Sequence, residues 1–275
     1  IERLKILNHS IEEKVLELFL KDTSESVRVA AIHSLARFKG KSAIPLLKQT
    51  IEYKGRQAYL LHIAASIALY NLGEKEVALT VIAKYLDSEN IAESVEAAMS
   101  AGALNDGNLI PLLSLKLNSK NQLFKNTLLE TLAKLGEKIS ETEVTGLLKS
   151  EQFDSQLTAL NIIESLKDKR FIAELEKKLN SDNPLIRIKA AKLLSTFGYK
   201  HVKQIVIDYL LSNRDDYSGI PGEGVRILSM ANGLWEIGDL TDLTILRKFL
   251  DKDGRERIMA TGSIIAILER EERVK

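Results

Sequence analysis

The chain has 275 residues, 45% of them apolar and 28% charged, with 4 Pro, 15 Gly and no Cys; 39 Lys+Arg against 38 Asp+Glu leave a formal net charge of +1. So large an apolar fraction excludes a disordered chain, and balanced charge excludes a histone-like polycation or an acidic tail protein. Zero cysteine excludes a disulfide scaffold, a thiol nucleophile, a thiolate zinc site and an iron–sulfur cluster.

Taken in chain order, the apolar spacing predicts helices in pairs. Residues 1–8 read as the remnant of an incomplete preceding repeat, and the start at Ile1 rather than Met suggests a processed protein or an excised piece. The first predicted pair is Ile11 to Lys21 with Glu25 to Phe38. Then come Ala43 to Tyr53 with Gln57 to Leu72, Glu76 to Leu86 with Ala92 to Leu104, and Leu109 to Leu117 with Gln122 to Leu135. The second half continues with Glu141 to Lys149 and Phe153 to Leu166, Lys169 to Leu179 and Pro184 to Phe197, His201 to Leu211 and Glu223 to Ile237, and Thr241 to Leu250 with Arg255 to Arg270. The last of these closes on Glu269-Arg270-Glu271-Glu272-Arg273, polar as a terminal cap should be. Period-two alternation is nowhere sustained, so strands are not expected. No run approaches the roughly 18 to 20 apolar residues that span a bilayer.

The pairs repeat. Ile44-Pro45-Leu46-Leu47 recurs as Ile110-Pro111-Leu112-Leu113, and Ser26-Val27-Arg28 returns as Leu185-Ile186-Arg187 and Gly224-Val225-Arg226. Second helices close on Lys39-Gly40, Leu72-Gly73, Leu135-Gly136, Phe197-Gly198 and Ile237-Gly238. Pro fits a first helical turn and Gly the residue past a helix end, so each unit is a helical hairpin of about 33 residues. Ala30-Ala31, Ala64-Ala65, Ala97-Ala98 and Ala190-Ala191 mark close helix contacts. Asp22, Asp87, Asp182 and Asp253 suit turns or N-caps.

On these residues the chain resembles the HEAT repeats, and more closely the short bacterial HEAT-like repeats also seen in phycobilin lyases. The best copies are Asp22-Thr23-Ser24-Glu25-Ser26-Val27-Arg28-Val29-Ala30-Ala31 and Asp182-Asn183-Pro184-Leu185-Ile186-Arg187-Ile188-Lys189-Ala190-Ala191. The resemblance covers Ile11 to about Arg270. It implies an all-α fold, a right-handed α–α superhelix of about eight antiparallel helix pairs, here taken as one domain over 1–275 with an inserted loop at 212–224. The middle units depart from the motif, with Glu96, Lys125 and Gln156 at its Arg position.

Aligned on their Ala and Leu landmarks, the second helices place Arg28, His62, Glu96, Lys125, Gln156, Arg187, Arg226 and Arg257 in one column. The resemblance implies that this column lines the concave surface, where Arg187, Arg226 and Arg257 with Lys189 and Lys192 would form a cationic ridge suited to carboxylates or phosphates. It implies equally that the motif Arg pairs with a turn Asp such as Asp22, Asp182 or Asp253. Arg214 and Tyr217 in the inserted loop are further candidate contacts. Trp235 reads as core.

No catalytic constellation is recognised. His9, His33, His62 and His201 share no metal spacing, and Gly219-Ile220-Pro221-Gly222-Glu223-Gly224 lacks the strand and Lys of a phosphate cradle. The expectation is therefore a monomeric, non-catalytic scaffold without metal or cofactor, binding a protein or peptide. Exposed aromatics beside the basic residues are too few for nucleic acid. The alternatives are a HEAT-like enzyme of bilin-lyase or alkylated-DNA-glycosylase type, or the soluble regulatory part of a membrane-anchored protein. A cytoplasmic location is favoured.

Overall fold

Helix ends need partners for backbone groups that the helix itself cannot satisfy, and these ends punctuate the fold. The computed structural model describes residues 19–55, 58–211, 216–217, 220–252 and 254–274. Two compact units result, residues 1–139 and 140–275. The first holds α1 (Glu25–Lys39), α2 (Ile44–Thr50), α3 (Ala58–Asn71), α4 (Lys75–Leu86), α5 (Ile91–Leu104), α6 (Ile110–Ser114) and α7 (Gln122–Lys134). The second holds α8 (Glu141–Lys149), α9 (Phe153–Leu166), α10 (Ile172–Lys178), α11 (Pro184–Thr196), α12 (Lys203–Leu211), α13 (Gly222–Ser229), α14 (Trp235–Ile237), α15 (Leu243–Arg247) and α16 (Arg255–Val274). Residues 1–18, with the remnant and all of the first predicted helix but Phe19, Leu20 and Lys21, lie outside the described residues.

Both units are stacks of helix pairs, an all-α helical-repeat fold of HEAT-like kind. In each pair whose two helices are described the first helix packs on the second, and second helices pack on the second helices of neighbouring pairs: α1 on α3, α3 on α5 and α5 on α7, then α9 on α11, α11 on α13 and α13 on α16. The small residues explain how closely they approach. Thr131 of α7 donates to the backbone oxygen of Ala98 in α5 at 3.2 Å, and Ser263 of α16 to that of Met230 at 3.2 Å. Ala64, Ala65, Ala97, Ala98, Ala190 and Ala191 are all buried, whereas of the first pair only Ala31 is; Ala30 is half-buried. A buried cluster including Ile32, Leu35, Leu47, Leu61 and Leu69 forms a core for the first pairs.

The N-caps differ from those expected. Asn90, Asn121 and Asn183 accept from first-turn amides of α5, α7 and α11. Asp22 serves its turn, accepting from the Ser24 amide at 2.7 Å, but Asp87 pairs with Lys116, and Asp253 lies outside the described residues. At the other ends, Gly40, Gly73, Gly136 and Gly198 take positive φ as the landmarks required, while Gly238 does not. A Cβ on Gly238 would meet the Leu234 carbonyl and Ile267, so close approach explains that glycine.

Five first helices are shorter than predicted because a 3-10 turn leads into them: Gly40–Ala43, Gly107–Leu109, Lys169–Phe171, Lys200–Val202 and Leu240–Asp242. The last residue of each is buried: Ala43, Leu109, Phe171, Val202 and Asp242. Asp242 is the exception in kind. Its carboxylate accepts from Lys203 Nζ at 2.9 Å and from the Asp239 amide at 2.8 Å, so an ion pair fills a position that is apolar elsewhere.

Asp239 caps the same turn. Hydrogen bonds from Lys203 and the Thr241 hydroxyl hold its carboxyl well below the ordinary 3.8, at about 2. Because the folded-state value is depressed, this contribution is complete above about pH 4 and is lost as pH falls through about 2. Asp239→Asn is therefore expected to flatten the pH dependence of the thermal midpoint, followed by circular dichroism, between about pH 4 and 2. Parallel acid limbs in the two proteins would refute the assignment.

The predicted insertion at 212–224 contains a two-residue antiparallel pair, Asp216–Tyr217 against Ile220–Pro221, and Gly222 to Gly224 already belong to α13. Residues 230–234 widen into a π-helical segment between α13 and α14. Beyond it, Trp235 is 41% exposed, correcting the core reading. Trp235 follows buried Leu234 by one residue and so falls on the flank of the stripe, with its ring against Gly262 of α16.

Among the described residues no helix is long and apolar enough to cross a membrane.

Candidate functional site

The column does not form a free ridge. Four of its members, Arg28, His62, Gln156 and Arg187, tie the hairpin turns, whose terminal carbonyls have no partner within the helix they end. Arg28 Nη1 donates to the backbone oxygens of Asp22 at 2.7 Å and Thr23 at 3.2 Å; Gln156 reaches the Ser150 carbonyl at 2.8 Å; Arg187 donates to the Ser181 carbonyl. In all three, the acceptors include the residue six positions back. His62, buried, contacts the Tyr53 carbonyl through Nε2 at 2.8 Å and the Tyr85 hydroxyl through Nδ1 at 2.6 Å. Burial pushes the His62 imidazole below its ordinary value and outweighs the carbonyl hydrogen bond.

Arg28 therefore meets Asp22 through the backbone rather than through the carboxylate. Arg226 pairs with Glu256 of α16, not with a turn Asp. Arg257 is exposed. Arg214 lies outside the described residues, and Tyr217 is described only as a backbone partner of Ile220.

Lys189 and Lys192 are brought together, around carboxylates on neighbouring second helices. Lys189 Nζ lies 2.9 Å from Glu164 of α9; Lys192 Nζ lies 2.6 Å from Glu164 and 2.6 Å from Glu236 of α14. Burial alone would raise the Glu164 carboxyl, yet the hydrogen bonds from Lys192 and Lys189 outweigh it and hold the group below its ordinary range. Burial would lower Lys192, and its two carboxylates raise it instead. The expected cation is thus a neutralised clamp across three helices.

A cleft of about 370 Å³ opens beside this clamp, at the C-terminal ends of α9, α11 and α14. Leu193, Thr196 and Phe197 line it with Glu164, Glu236, Lys167 and Lys169. Lys167 ends α9 in the left-handed conformation at φ 50°, and Lys169 lies in the turn that follows. Basic side chains there face the negative end of the helix dipole. The sequence reading overlooked Glu164, Glu236, Lys167 and Lys169. Only the two lysines carried a local signal, the run Lys167-Asp168-Lys169-Arg170, and it reads as a solvated turn. A larger cavity of about 860 Å³, between α1, α2 and Tyr53, takes in Arg28 of the expected column, with Asp22 of its turn. Among the described residues no three His, Asp or Glu side chains converge as a metal-ligand group.

No protein-family model matches the chain, and no curated protein matches it in sequence. Solved structures do. The Escherichia coli protein YibA aligns with a TM-score of 0.52 at 17% identity, over 97% of this chain and 94% of that one. The complex of CpcE and CpcF of phycocyanin lyase from a Nostoc species aligns with a TM-score of 0.50 at 16% identity, over 95% of both chains. Human deoxyhypusine hydroxylase in complex with glycerol aligns at 14% identity over 97% of this chain and 99% of that one, with a TM-score of only 0.37. At such identities the first two show a shared HEAT-like fold. The second also corrects the non-catalytic expectation: the fold serves a lyase, so a missing catalytic signature in the sequence does not separate enzyme from scaffold.

Proposed function

We propose that the chain, read as one HEAT-like repeat domain over 1–275, recognises a protein or peptide segment carrying side chains of both signs, docked in the cleft at the ends of α9, α11 and α14. The carrying observation is the cleft's composition: an apolar floor of Leu193 and Phe197 between acidic Glu164 and Glu236 and basic Lys167 and Lys169. A polyanion favours cations that are free to meet phosphates. Here Lys189 and Lys192 are committed to carboxylates and Arg187 to a carbonyl, so mixed charge favours a polypeptide. The recurrence of the same landmarks on both sides of residue 139 supports the single array. That a solved structure of similar fold is a complex of two proteins agrees with the reading.

The test is a photo-crosslinking amino acid at exposed Thr196, activated in cells and followed by mass spectrometry. A protein should be captured specifically. Lys167→Glu with Lys169→Glu should then weaken its affinity about tenfold, equivalent to ~1.4 kcal/mol, with unchanged helicity because both side chains are exposed. Capture of nucleic acid, or a captured protein indifferent to the reversal, would overturn the proposal.

A further inference from the structure

The last helix has two faces of different fates. Glu256, Ala260, Ser263 and Ile267 of α16 are buried, and the helix packs on α13, α14, α15 and the π-helical segment. The outer face carries Ile258, Ile265 and Leu268, which are 61%, 50% and 43% exposed, with exposed Thr261 between them. At 100° per residue these four fall within an arc of about 80°. Exposed Trp235 borders the strip, its ring lying against Gly262, one turn from both isoleucines. The sequence reading of a polar terminal cap holds only for the final turn.

Charge marks the two ends of this strip with opposite signs. Arg255 and Arg257 are exposed at the N-terminal end, Glu269 and Glu272 at the C-terminal end. Arg273 follows there, and Arg270 is occupied with the carbonyls of Trp235 and Gly238. Among the described residues neither Arg257, Glu269 nor Glu272 has an ion-pair partner. Arg257 and Glu272 are separated by about 22 Å along the helix.

We infer that α16 is a homodimerisation helix, pairing antiparallel with α16 of a second copy about a two-fold axis between Ile264 and Ile265. A two-fold contact requires that residue i meet j while j meets i. The strip satisfies this with its own charges: Arg257 of one copy opposes Glu272 of the other, twice. Leu268 then faces Thr261, the two Ile265 side chains meet near the axis, and Trp235 closes the flank. An unrelated partner would have to supply this complementarity independently, whereas a second copy carries it already. One helix face of 20 residues is small for an interface, so the dimer is concentration-dependent rather than obligate. It departs from the monomer expected from sequence.

Sedimentation equilibrium of the whole chain, from sub-micromolar to sub-millimolar at low salt, should show the mass rising from 30.7 kDa toward twice that value. Arg257→Glu and Glu272→Arg should each weaken association about tenfold or more, and Ile265→Glu should abolish it. The double variant Arg257→Glu with Glu272→Arg should recover most of the affinity, because both pairs are re-formed with their ends exchanged. All three positions are exposed, and circular dichroism should confirm an intact fold. A monomer at every concentration, association indifferent to the single reversals, or failure of the double variant to recover would overturn the inference.

Discussion

Ala190→Asp is expected to abolish cooperative folding of residues 140–275. Ala190 is fully buried in α11, between Ile186 and Leu194 on the same stripe, and α11 is covered by α9, α10, α12 and α13. A carboxylate there finds no water. The nearest ammonium groups in sequence, Lys189 and Lys192, are directed to Glu164. An unpaired buried charge costs ~4 kcal/mol or more, a large part of the 5–15 kcal/mol that separates folded from unfolded chains. Urea unfolding followed by far-ultraviolet circular dichroism reads the loss directly. Half-buried Ala30 gives the internal contrast: Ala30→Asp should cost about 1–2 kcal/mol, since its carboxylate can turn to solvent. Equal effects at the two positions would mean that α11 is not packed as described.

Phe171→Ala is expected to cost about 3–5 kcal/mol, nearly all of it from removed contacts and the cavity left behind. Phe171 is 1% exposed and heads the largest fully buried side chains. It ends the 3-10 turn before α10, where Ala43, Leu109 and Val202 sit in other pairs. The Arg170 guanidinium lies 5.6 Å from its ring centroid but is half exposed, so that contact adds little. Phe171→Leu should cost under about 1.5 kcal/mol, because most of the volume is kept. A Phe171→Ala loss below that of Phe171→Leu would show that the turn does not plug the core.

Local signals were the most legible part of this chain. The predicted Glu141 to Lys149 and Phe153 to Leu166 are the observed bounds of α8 and α9, because caps and apolar periodicity act within one or two turns. The 3-10 turns were invisible, since tightening a first turn leaves the order of apolar and polar residues unchanged. Trp235 was misplaced because Leu234-Trp235 are both apolar, and the spacing alone did not say which of them lies on the buried stripe.

The site was legible only in residue type. Lys189 and Lys192 were found as cations, but their partners Glu164 and Glu236 lie 25 to 44 residues away on other helices, beyond any periodic signal. The column of Arg28, Gln156 and Arg187 was found in the right phase. Its use was misread because a carbonyl six positions back exists at every residue and leaves no mark in the sequence.

The grip of Lys192 on Glu164 and Glu236 bears on how the second unit comes apart. In a stack held by adjacent contacts alone, opening propagates one hairpin at a time from a free end. One ammonium linking α9, α11 and α14 couples hairpins that are not neighbours. Peeling α14 away strands a buried positive charge on α11 with one counter-charge fewer, so fraying is penalised before it reaches α11. The amides of α9, α11 and α14 should consequently exchange with solvent as a block, while those of the stretch beyond α14 exchange earlier.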